Sequence, residues 1–213
     1  MKILAFDTSA YHTTIAILEN KNRIDEIIDY NKFSHNKTLI TYIRTLLERN
    51  GLKISDIDLL VAGSGPGSFT GLRVGISTIK AISYGLGKPF KGVSSLDSIA
   101  LKFAFEEKIL SGSKIRVFYD GRQKDLFTAD YVYRNGMVEK ISDITIIPYG
   151  NINSENVDYI CGYTDDLDFP KDFRNNILPD ANYIAFIGLD KFDGKSEPYD
   201  FEPSYYKNFT IRG

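Results

Sequence analysis

Residues 63–75 read GSGPGSFTGLRVG and hold five glycines and one proline in thirteen positions. The apolar run LLVA (Leu59 to Ala62) precedes them and a long helical pattern follows. The chain must therefore turn sharply out of a buried strand and into a helix, which is the basic step of an α/β fold. A glycine-rich turn at that point is one way to cradle phosphate, because unpaired N–H groups at a helix start point outward. The known phosphate patterns are not met. Gly63 and Gly65 fit GxGxxG, but the sixth position is Ser68. No Gly-Lys-Ser or Gly-Lys-Thr occurs, since Gly87-Lys88 is followed by Pro89. The turn contains no lysine, and Arg73 already lies inside the helix. The glycines read first as a device for turning and close packing, with anion binding by backbone amides as the alternative.

The helix runs from near Ser68 to Leu86. At about 100° per residue, Gly71, Gly75, Thr78 and Ile82 form one narrow stripe. Leu72, Ile76, Ile79 and Leu86 form a second stripe beside it, and Val74 and Ala81 extend the uncharged surface the other way. Arg73 and Lys80 are its only charges. A helix this apolar around its circumference is rarely a solvent-facing one. One side can cover its own sheet. The other needs a second cover, from the chain's first helix or from another protein.

The rest of the pattern fills in around this unit. KILAF (Lys2 to Phe6), TIAILE and RIDEIIDY predict a three-stranded meander. SHNKTLITYIRTLLERNG predicts a helix with Leu39, Ile40, Ile43, Leu46 and Leu47 on one face and Gly51 ending it. KPFKGV predicts a short strand and SSLDSIALKFAFEEKIL another helix, with Ser94 or Ser95 as N-cap. IRVFYD, DLFTADYVYR, ISDITIIPY and VDYICG predict strands. Residues 148–198 are rich in Asp, Asn, Pro and Gly and read as loops with little helix, and EPSYYKNFTIRG as a last strand or an ordered arm. A boundary near residues 105–114 separates an N-terminal α/β lobe, 1–105, from a smaller β-rich lobe, 106–213, whose tail returns to the first. No internal repeat stands out.

A chain of 213 residues, 43 % hydrophobic and 25 % charged, supports a substantial core. A net charge of −2 gives no support to a stand-alone nucleic-acid binder. One cysteine, Cys161, admits no internal disulfide and fits a reducing compartment. No apolar run approaches the roughly 20 residues of a membrane span, and the start lacks a signal peptide's apolar stretch. The expectation is a cytoplasmic protein with no membrane association.

The segments ILAFDTS, GSGPGSFTGLRVGISTIKAI, GVSSL, VFYDGRQKDLFTADY and EPSYYKNF occur in the order and spacing of the bacterial TsaB family, which the chain resembles. The likeness covers the first 133 residues well and the last dozen moderately. It implies a two-lobed actin-like or sugar-kinase-like ATPase fold, here with a reduced second lobe. It implies a subunit inactive alone, which pairs with the related catalytic protein TsaD and works with the ATPase TsaE. Together these transfer a threonylcarbamoyl group to an adenosine beside the tRNA anticodon. ATP is used by the complex, and no cofactor is expected on this chain alone. Contact with TsaD through the first two helices maps onto residues 37–50 and 68–86. The implied partner-binding residues are Leu39, Tyr42, Ile43, Leu46, Gly71, Leu72, Gly75, Thr78, Ile79 and Ile82. Gly75→Arg is then expected to leave the monomer folded and abolish pairing. Without its partner the apolar patch is expected to form a homodimer, and tRNA is expected to reach the chain through the complex.

Chemistry of its own is less favoured. The related catalytic subunit binds metal through an HxxxH pair. Here only His12 and His35 occur, 23 residues apart, and both read as surface residues. Cys161 reads as a small buried apolar group. Asp7, Thr8 and Ser9 occupy the first strand turn, where superfamily relatives hold nucleotide phosphate and metal; the alternative is a turn stabilised by its own side chains. CGYTDD (Cys161 to Asp166) is the nearest candidate for a second phosphate loop, and its acids would repel phosphate. Asp120, Arg122 and Asp125 match the family's Asp-x-Arg segment and read as a local ion pair. The competing function is an independent ATPase or small-molecule kinase.

Overall fold

The computed structural model describes residues 1–31, 35–165 and 169–206, side chains of 35–37 excepted. β1 (Lys2–Asp7), β2 (Thr13–Glu19) and β3 (Asn22–Asp29) form the predicted antiparallel meander. α1 (His35–Arg49) leads to β4 (Leu59–Gly65), which lies parallel to β1. α2 (Phe69–Leu86) leads to β5 (Phe90–Ser94), parallel to β4. The sheet order is β3-β2-β1-β4-β5. α3 (Ser95–Glu106) crosses to a second sheet of β6 (Lys114–Asp120), β7 (Asp125–Arg134), β8 (Met137–Lys140), β9 (Thr145–Pro148), β10 (Tyr159–Tyr163) and β11 (Phe173–Arg174). Its order is β11-β10-β6-β7-β8, with β9 also on β7.

The second sheet repeats the first. In each, a meander turns antiparallel and two later strands add in parallel beyond its first strand. The duplication is topological and leaves no repeat in the sequence. The second copy is reduced: among the described residues no α-helix separates β9 from β10 or β10 from β11.

The helices that follow the sheets are exchanged. α3, which follows the first sheet, packs Leu96, Ile99, Ala100 and Phe103 on Ile115, Val117 and Tyr131 of the second. α4 (Ala181–Asp190), which follows the second sheet, packs Ala181, Ile184 and Ile187 on Ile3, Ala5 and Val61 of the first. The other face of the first sheet, with Leu4, Phe6, Ile15 and Ile17, is covered by α1 and α2. β1 is thus buried on both faces, which is why its sequence is a continuous apolar run without alternation.

Three local expectations are corrected. Residues 181–190 are helix, although their segment reads as loop. Asp180 caps them by accepting from the Asn182 amide, and Gly188 is needed because a Cβ there would sit 2.5 Å from Val61 Cγ1. The helix is apolar on nearly every side because the sheet and α3 enclose it, so its polar periodicity is lost. Ile40 is 60 % exposed, unlike Leu39, Ile43, Leu46 and Leu47. Ser94 takes the N-cap position of α3 without a side-chain capping bond, while the Ser95 hydroxyl donates elsewhere.

The segment 196–206 is an extended arm, not a strand. Its backbone meets β5 through Glu197 N–H to Phe90 O, 2.8 Å, and β4 through Ser204 N–H to Ser64 O, 2.9 Å. Phe201 fills the space left by Gly92, where a Cβ would lie 2.1 Å from the ring. Tyr206 then packs on Phe127 of the second sheet. No helix among the described residues is long and apolar enough to cross a membrane.

Candidate functional site

The turn after β1 and the start of α2 meet at one point, and the glycines explain how. A Cβ at Gly71 would lie 1.9 Å from the Thr8 carbonyl oxygen, and one at Gly75 would lie 2.6 Å from Thr8 Oγ1. Thr8 Oγ1 donates to the Gly71 carbonyl at 2.7 Å, and the Ser68 amide donates to Ser9 O at 2.7 Å. The glycine stripe therefore faces the chain's own first turn. It is a packing device between strand end and helix.

Asp7, Thr8 and Ser9 are each about 1 % exposed. Asp7 Oδ1 accepts from the Ser9 amide at 2.7 Å and the Ser9 hydroxyl at 2.6 Å, and Oδ2 accepts from Ser95 Oγ at 2.7 Å. Gly63 makes room for that carboxylate, since its Cβ would stand 1.8 Å from Oδ2. These side chains are engaged in holding the turn, β4 and α3 together. These contacts favour the turn-holding alternative for Asp7 and Thr8, and of the three only Ser9 lines the adjoining cleft.

That cleft, of about 700 Å³, opens between the two sheets. It is lined by the turn after β1, the N-terminal end of α2, the β6–β7 turn, the end of β10 and the arm at Ser204–Tyr206. The β6–β7 turn holds three consecutive left-handed residues, Arg122, Gln123 and Lys124, at φ 59°, 57° and 64°. Side chains other than glycine adopt this conformation at a cost, and strain of this kind gathers at functional sites. Asp120 Oδ1 fixes the turn by accepting from the Arg122 amide and the Tyr149 hydroxyl. Tyr163 donates to Asp165. Burial, then these carboxylates, push the Tyr149 and Tyr163 phenols well up, so both remain protonated donors.

The residues expected to bind a partner separate into two groups. Leu39, Ile43, Leu46 and Ile79 belong to the core between α1, α2 and the first sheet, Leu72 is buried against Gly65 at the cleft, and Gly71 and Gly75 face Thr8. All seven are inside the chain, which corrects their assignment to a partner face; Gly75→Arg would strike Thr8 and unsettle the monomer itself. Tyr42 is half-buried and donates to Asp29 Oδ2 on β3. Thr78 and Ile82 remain half-exposed on the outer side of α2. The charges of α2 are drawn to one side by the arm. Arg73 lies over the Phe69 ring and donates to the Tyr205 hydroxyl, and Lys80 donates to Phe201 O and pairs with Glu202. The outward surface left over runs through Thr70, Val74, Ser77, Thr78, Ala81, Ile82 and Gly85 without a charge, with Ile40 exposed on the neighbouring helix.

His12 is buried, not a surface residue. Nε2 donates to Pro179 O at 3.0 Å, the ring stacks on Tyr30, and Nδ1 has no hydrogen-bond partner among the described residues. Burial lowers its pKa, opposed by Asp7 and Asp180 and assisted by Lys102. The unfolded chain then binds more protons than the folded one, and stability falls as pH drops below the ordinary histidine value of about 6.5. Urea midpoints are expected to decrease from pH 6.5 to pH 5, and His12→Gln is expected to flatten that slope. Cys161 is fully buried and its thiol is pushed well up by that burial, so it is no nucleophile. Gly162 lies 1.7 Å, as a Cβ, from Phe118 O on the paired strand and serves the sheet, not a phosphate. The side chain of His35 and the whole of Asp166 fall outside the described residues, as does the end of EPSYYKNF. Among the described residues no His, Cys, Asp or Glu cluster could hold a metal.

A profile of the family TsaD, tRNA N6-adenosine threonylcarbamoyltransferase, matches residues 31–189. The tRNA threonylcarbamoyladenosine biosynthesis protein TsaB of Bacillus subtilis is 33 % identical over 141 residues, 66 % of this chain and 59 % of that one. Its Escherichia coli counterpart is 29 % identical over 131 residues, 62 % and 55 % of the two chains. The matched region thus spans little more than half the length of these relatives. YeaZ from Pseudomonas aeruginosa superposes with a TM-score of 0.83 at 21 % identity, covering 96 % of this chain and 99 % of that one. Two equivalent sheets with exchanged helices around a cleft define a two-unit α/β protein of the YeaZ fold. The chain belongs to the TsaD family of proteins, in its TsaB group.

Proposed function

We propose that the chain is a non-catalytic assembly subunit in threonylcarbamoyladenosine modification of tRNA, docking TsaD and supporting TsaE binding. The relatives' names supply the pathway. The uncharged outer side of α2, with its two cations turned away by the arm, is the observation that carries the docking role. Threonine, serine, alanine and glycine there let a second helix approach closely, and Val74, Ile82 and Ile40 supply apolar contact. The engagement of Asp7 and Thr8 inside the turn supports the view that ATP is used elsewhere in the complex.

Thr78→Arg tests the docking face. Thr78 is half-exposed and packs no glycine notch, so the monomer should keep its stability within about 0.5 kcal/mol. Co-purification with TsaD should weaken at least about 100-fold, the effect of a charge forced into an interface centre. Modification assays lacking each component in turn should show that this chain is required and inert alone. In the absence of TsaD the same face pairs two copies of the chain, and Thr78→Arg should abolish that dimer in sedimentation. Unchanged pairing with TsaD would place the docking face elsewhere.

A further inference from the structure

Eight of the twenty residues lining the cleft are Phe or Tyr, so ring faces are available on its walls. Among the described residues its charged lining is two carboxylates, Asp120 and Asp165, against one guanidinium, Arg122. Tyr149 and Tyr163 each occupy Oδ1 of one carboxylate, and Oδ2 of each has no hydrogen-bond partner among the described residues. Both acids and both phenols that donate to them line the same cleft. Phosphate brought there would meet two like charges for one opposite. A cation would meet carboxylate oxygens and ring faces together.

We propose that this cleft binds an organic cation, an alkylammonium or guanidinium group, held by Asp120 and Asp165 against the tyrosine rings. The cation has two sources: a free amine, or a lysine or arginine side chain presented by another protein. This site shares Thr70 with the outer side of α2 but its charged groups lie on other elements, and it does not depend on the pairing proposed above. The strained Arg122–Lys124 turn holds Asp120 at the wall, and the arm adds Ser204 to Tyr206 to the lining, with Tyr206 packed on Phe127 of β7.

The test is titration of the full chain, followed by tyrosine ring resonances in NMR, with two cationic probes and two controls. Spermidine stands for the free amine and N-acetyl-arginine-amide for the side chain; N-acetyl-norleucine-amide and AMP are the neutral and anionic controls. Saturable shifts with a cationic probe are expected, and whichever probe binds more tightly identifies the source. The exposed Asp165→Asn should weaken cation binding about 10-fold, and the exposed Arg122→Gln should tighten it by about 3-fold. The N-terminal end of α2 opens on the same cleft and would favour an anion, so the two readings predict opposite signs for both variants. If AMP saturates the same tyrosines and Arg122→Gln weakens binding, or if neither cation shifts them, the proposal is overturned.

Discussion

Gly71→Ala is expected to cost about 3 kcal/mol or more, although alanine is the better helix former by roughly 1 kcal/mol. The added methyl would stand 1.9 Å from the Thr8 carbonyl, a backbone atom at the end of a central strand. Thr8 cannot retreat easily, because its hydroxyl donates to Gly71 O and its neighbours Asp7 and Ser9 are tied to Ser95 and to each other. For a chain of this size the loss corresponds to a fall in Tm of about 6–12 °C. Gly85→Ala is the matched control. It lies on the same helix with nothing within 4 Å of the added Cβ, and should stabilise by about 0.5–1 kcal/mol. If both substitutions behave alike, the stripe is not a packing notch against the first turn.

Asp7→Ala is expected to cost about 3–5 kcal/mol with no ligand present. It removes the acceptor for the Ser9 amide, the Ser9 hydroxyl and the Ser95 hydroxyl at once, all in a site about 1 % exposed. Ser95→Ala removes one of these donors and should cost about 1–2 kcal/mol. Urea unfolding followed by far-UV circular dichroism reads both. A carboxylate kept for a metal or nucleotide would behave otherwise: its loss would leave the empty protein as stable as before, or more so. Equal stability of Asp7→Ala and the parent chain would restore the ligand reading.

Much of the fold was legible because strand and helix signals here are local. The first meander, α1, α2, α3 and the long strands of the second sheet all lie where apolar runs and periods put them. α4 was not legible. Its polar cues are missing because it is enclosed, and Asn, Gly and the preceding Pro imitate a loop. The site was legible in part. The glycine stretch, the Asp-Thr-Ser turn and the Asp-x-Arg segment all meet at or beside the cleft. The sequence could not say which side of α2 its glycines faced, because periodicity fixes angles around a helix axis and not what stands opposite each angle. It also gave no sign that Arg73 and Lys80 are held by an arm more than a hundred residues away.

By itself the sequence determined the two-part α/β layout, the unusual lack of charge on α2 and the likeness to a tRNA-modification family. Tertiary structure alone decided that the glycines serve the first turn, that α3 and α4 trade sheets, and that the cleft gathers tyrosines from β6, β10 and the arm. The reason is physical. Local preference comes from each residue and its near neighbours, whereas these contacts join segments far apart in the chain and exist only once both sheets have formed.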